Sequence, residues 1–105
     1  MQRFFEDYLK CLEELHADIE QAIEGLPQDA LNWVPGCDMN SIGVLVIHVT
    51  GAERYWIGDV VACDPSGRDR EAEFRTQGLD VAASKRRLAD TLAYVRGALE
   101  KLSLD

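Results

Sequence analysis

The chain has 105 residues, 47% of them hydrophobic and 29% charged, a composition that fits one folded domain and argues against disorder. Nineteen acidic residues against eleven basic ones leave a net charge of −8. That balance argues against nucleic acid as a partner, because phosphate contacts need a basic stripe. The longest apolar run, Val44 to Val49, is interrupted by His48 and is too short to span a bilayer. The N-terminus lacks the apolar run of a signal peptide, so a cytoplasmic protein with no membrane role is expected. Three cysteines, Cys11, Cys37 and Cys63, form no Cys-x-x-Cys pair, so free, partly buried thiols are expected rather than a disulfide framework or a zinc knuckle.

The spacing of Phe5, Tyr8, Leu12, Leu15, Ile19 and Ala22 predicts a first helix over about residues 3–24, with Gly25 as its stop and Pro27 preventing continuation. The stretch from Leu26 to Met39 reads as a connection, with one short turn of helix over 28–32 and Trp33 folding back onto the core. A second helix is predicted from Ser41 to about Ala62, capped by Asn40 or Ser41, with Ile42, Leu45, Val49, Ala52, Tyr55 or Trp56, and Val60 as its inner face. Asp64-Pro65-Ser66-Gly67 breaks the chain. The charged stretch 68–77 is expected to be a loop anchored by Phe74. Asp80 caps a third helix whose stripe is Val81, Leu88, Leu92, Val95, Leu99 and Leu102. Lys85-Arg86-Arg87, the single basic cluster, reads as a solvated face of this helix. Together these elements predict an all-α antiparallel bundle forming one domain over residues 1–105. The connections, about 15 residues each, are longer than the 2–8 usual in a minimal bundle, which points to an open-ended bundle with a pocket at one end.

His48 is the leading candidate site residue. It lies within the apolar second helix, where a neutral imidazole suits metal ligation and Ala52, one turn on, leaves room beside it. The other reading is a core histidine that hydrogen-bonds a neighbour. His16, the second histidine, is expected to share a layer with His48 while pointing partly to solvent. Trp33, Tyr55 and Trp56 read as core rather than as pocket walls. Glu53 faces another side of the helix from His48, and no nucleophile motif or phosphate-binding loop is present.

Three stretches in order carry a resemblance: Leu26-Pro27-Gln28-Asp29-Ala30-Leu31-Asn32-Trp33-Val34-Pro35, Asn40-Ser41-Ile42-Gly43, and His48-Val49-Thr50-Gly51-Ala52-Glu53-Arg54-Tyr55-Trp56. Arg68 to Phe74 follows the same order. The chain resembles the DinB-like (YfiT-like) superfamily over nearly its whole length. The resemblance implies a four-helix bundle with a divalent metal, zinc or nickel, held by three histidines. His48 matches the one on the second helix, and the other two form a His-x-x-x-His pair on the last helix. It also implies metal-dependent transferase chemistry with a small thiol. Here the sequence stops at Asp105 without that pair, so a bundle lacking its last helix is expected, either as a fragment or as a variant that lost the site. Metal binding is then expected to be weak or absent. The rival reading is a non-catalytic helical interaction module, a homodimer that buries the groove left by the missing helix.

Overall fold

The computed structural model describes residues 1–103, and among these it contains helices and connections but no strand. The first helix, α1, spans Arg3–Ile23 and ends where Gly25 takes a φ of 74°. That left-handed conformation suits glycine, and Pro27 follows as expected. The buried face of α1 is Phe5, Leu9, Leu12, His16 and Ile23. Tyr8 and Leu15, expected inside, are 38% and 56% exposed. Phe5 and Leu12 stay inside, so the stripe is turned by about half a residue's step, roughly 60°. A polar residue takes an inner position because a partner awaits it there.

A short helix, α2 (Gln28–Asn32), buries Leu31 completely against the next helix. Trp33, expected on the core, is 65% exposed. It caps α2 in an extended conformation, so its side chain leaves the packed face that Leu31 occupies.

The long helix α3 (Ile42–Glu53) begins at Ser41, whose Oγ accepts from the Val44 amide at 3.1 Å. From Arg54 to Val61 the same helix continues with π geometry, marked by the Ala62 amide donating to the Ile57 carbonyl at 2.9 Å. Cys63, in the left-handed region at φ 56°, ends it. The expected inner face of this helix is largely the outer one. Leu45, Trp56 and Val60 are exposed, whereas Val44, Val46, Ile47, Thr50 and Ile57 are buried. An all-round apolar helix has no polar face by which to read its orientation.

A one-turn helix, α4 (Arg70–Phe74), is capped by Asp69, and α5 (Val81–Glu100) by Asp80, whose carboxylate accepts from the Ala83 amide at 2.7 Å. The stripe of α5 is the expected one: Leu88, Val95 and Leu99 are buried, with Leu92 and Leu102 packed beside them. Full burial of each such side chain contributes about 2 kcal/mol.

α5 is the central element, with α1 on one side and α3 with its π segment on the other. Phe5, Leu9 and Leu12 of α1, Ile57 of the π segment, and Val95 and Leu99 of α5 form the main core cluster. Ion pairs of Glu24 with Lys85 and Glu13 with Arg96 show that α1 and α5 run antiparallel. Thr50 meets Arg87, and Arg54 meets Tyr94, so α3 and α5 run in the same direction. The long connection between them returns the chain to the starting end. The molecule measures 47 × 27 × 20 Å, and its radius of gyration of 14.8 Å exceeds the roughly 13 Å expected of a compact chain this long.

Candidate functional site

His48 lies on α3 facing the segment that carries α4. Its Nδ1 is 3.4 Å from Glu73 Oε1 and 3.5 Å from Nη2 of Arg68. The Phe74 ring lies over the imidazole with centroids 4.9 Å apart. Phe74 thus anchors the loop as expected, and it does so on the histidine. Glu73 is buried in the middle of this group. Both its oxygens accept from Arg68, from Nε and Nη2, at 2.8 Å each. The fork of hydrogen bonds from Arg68 holds the Glu73 carboxyl below its usual range against the opposing effect of burial, and the same contact raises Arg68.

Gly51 makes this arrangement possible. A Cβ at Gly51 would collide with the Glu73 carboxylate, so a side chain there would expel it from the surface of α3. Gly58 plays the same part for the guanidinium of Arg54, which stacks on Tyr94 at 4.1 Å and pairs with Asp59 at 2.9 Å.

The two histidines go to different partners. His16 is buried, and its Nε2 meets the two oxygens of Glu53 at 2.8 and 3.0 Å. The expectation that His16 points partly to solvent is therefore corrected: Glu53, facing away from His48 as expected, draws it in. The His16 Nδ1 is buried without a hydrogen-bond partner among the described residues. Tyr8 stands close enough that its hydroxyl is pushed up, by burial first and by the Glu53 charge second. The three cysteines are free as expected, but all are exposed, whereas partly buried thiols were expected.

Of the two histidines, His48 is the more open, its side chain 28% exposed against 4% for His16. Its geometry fits one part of a metal centre. A ligating histidine commonly donates its other N–H to a carboxylate, which fixes the tautomer. Donation from Nδ1 to Glu73 would do that and leave the Nε2 lone pair as the free one. Among the described residues, no cluster of three or more His, Cys, Asp or Glu side chains could hold a metal ion around it. Sequence reasoning missed Glu73 and Arg68, which belong to a stretch that reads as a charged loop. The one available signal was Asp69 as the cap of a short helix that would bring both onto α3.

The DinB superfamily profile matches residues 12–105, nearly the whole chain, and the chain belongs to that superfamily. No curated protein and no solved structure matches it. No helix among the described residues is long and apolar enough to cross a membrane.

Proposed function

We propose that this chain is a DinB-like helical module that works as a homodimer, its copies joined through the groove between α1 and α3. The observation that carries this reading is the row of exposed apolar side chains that each of these helices keeps uncovered. Phe4, Tyr8 and Leu15 recur at helical spacing on α1, and Leu45 and Trp56 do so on α3; each is more than a third exposed. The buried His16–Glu53 pair joins the two helices. The accessible surface is 6804 Å², about 900 Å² more than a monomer of 11.8 kDa ordinarily keeps. An interface of standard size buries about 800 Å² on each partner. A two-fold pairing would cover one groove with the other and remove the excess from both copies.

A second reading rests on His48. Nε2 of His48, steadied through Nδ1 by Glu73, would supply one ligand to zinc or nickel, and the remaining ligands would come from a second segment or a second copy. A metal so bound would convert a small thiol to its thiolate, the reactive form in transferase chemistry. Arg68 so close to the ring weighs against a dication and favours the module reading.

Light scattering over a hundredfold concentration range tests the dimer. Twice the chain mass of 11.8 kDa is expected, falling to one chain mass in Trp56→Asp with its helical content unchanged. A single-chain mass throughout for the unaltered protein overturns the proposal.

A further inference from the structure

On the opposite side of α3 from the groove, a cleft of about 730 Å³ opens between α3, α4 and α5. Its size falls within the range of small-molecule sites, about 300–1,000 Å³. Four of the chain's eight arginines line it, Arg54, Arg68, Arg86 and Arg87, although the chain as a whole carries a charge of −8.

These arginines are not equivalent. Arg68 is neutralised by Glu73, and Arg54 by Asp59 and Asp64. Arg87 is held differently. Its Nε donates to the Thr50 hydroxyl at 2.6 Å, and that hydroxyl donates to the Val46 carbonyl at 2.8 Å. This fixes the half-buried side chain while using one of its five N–H donors. Neither Arg87 nor Arg86 makes an ion pair with any described carboxylate, Asp90 on the same wall included. The cleft therefore carries two cationic heads held in no ion pair, one of them already ordered, with Asp69 and Asp90 as the carboxylates on its lining that pair with no arginine. The expectation that Arg86 and Arg87 form a solvated helix face holds for Arg86, which is exposed, and is corrected for Arg87.

We infer that this cleft binds a small carboxylate-bearing molecule, with Arg87 as the anchor. With Nε committed to Thr50, the free edge of the guanidinium is the Nη1/Nη2 pair, a planar fork that matches the two oxygens of a carboxylate. Arg86 adds a second positive charge at the rim. Ile47, Leu79 and Ala83 line the cleft as well and suit a short aliphatic body. Arg87 loses little side-chain freedom on binding, because Thr50 has already restricted it.

Two-dimensional amide NMR of the full chain, titrated with succinate, tests this. Saturable shifts in the millimolar range or below are expected, at residues 47–51 and 86–91. Arg87→Lys keeps the charge and loses the fork, so about tenfold weaker binding is expected. Arg96→Gln, on a surface pair with Glu13, should bind as the unaltered chain does. Absence of saturable shifts overturns the site. Unchanged affinity in Arg87→Lys overturns the fork, and inorganic phosphate binding as tightly as succinate overturns the carboxylate assignment. Should Arg87→Lys lose its fold, Arg86→Gln at the exposed rim gives the same decision: several-fold weaker binding supports the site, and no change overturns it.

Discussion

Glu73 carries more of the local order than any other charged side chain, since Arg68, His48 and the surface of α3 all meet at its carboxylate. Its folded pKa lies below the unfolded value near 4.5. Stability from this group is thus present in full above that value and is lost as the pH falls through the lower folded one. Urea melts are expected to show stability declining as the pH drops below about 4.5, with a smaller decline in Glu73→Gln. At neutral pH, Glu73→Gln should cost about 3 kcal/mol, because it leaves Arg68 half-buried without its partner. His48 gives a second expectation at this scale. Calorimetric titration with zinc should show binding weaker than micromolar, reduced further in His48→Ala, since a firm zinc site takes at least three protein ligands. Sub-micromolar affinity dependent on His48 would show that a second copy completes the site. His48 as a residue of interest was legible from its place in an apolar helix. Its neighbours were not, because they come from positions twenty and more residues away that sequence spacing does not connect.

At the scale of elements, α5 was legible and the face of α3 was not, for one physical reason. Charged residues alternate with Leu88, Leu92, Val95 and Leu99 on α5, so its inner side declares itself. On α3 the run from Ile42 to Val49 is apolar on nearly every side, His48 being its one polar residue. Its orientation is set by α2, α4 and α5 packing around it, with Gly51 admitting Glu73. The displaced stripe of α1 has a related cause: His16 is inside because Glu53 meets it, a pairing across 37 residues. Caps are local and were readable. Asp80→Ala should cost about 1 kcal/mol in thermal or urea melts by freeing the Ala83 amide, and it should leave the molecular mass unchanged.

At the scale of the whole molecule, α3 is a wall with two working sides. Thr50, Gly51 and Arg54 face the arginine cleft, while Leu45, Ala52 and Trp56 follow the groove. The dimer proposed above would therefore leave the cleft open. Trp56→Asp should abolish pairing yet preserve succinate binding. The all-α class and the helical bundle were legible from three stripes and their caps. The common direction of α3 and α5 was not, since it depends on how the connection from Ala62 to Asp80 crosses the end of the molecule.

The change of winding at Arg54 gives that wall its two sides in another sense. A π turn spends roughly one residue more than an α turn, so over the eight residues from Arg54 to Val61 the sequence falls behind by nearly two positions. The second half of the helix is clocked differently from the first. A straight α-helix of the same sequence would carry Ile57 round past the core that Phe5, Leu9 and Leu12 form with it. The helix thus behaves as a crankshaft rather than a rod, with two bearing surfaces set at different angles on one axle. Removing a single residue from its π half would retime everything downstream, including the Asp64 carboxylate that meets Arg54 and Tyr94.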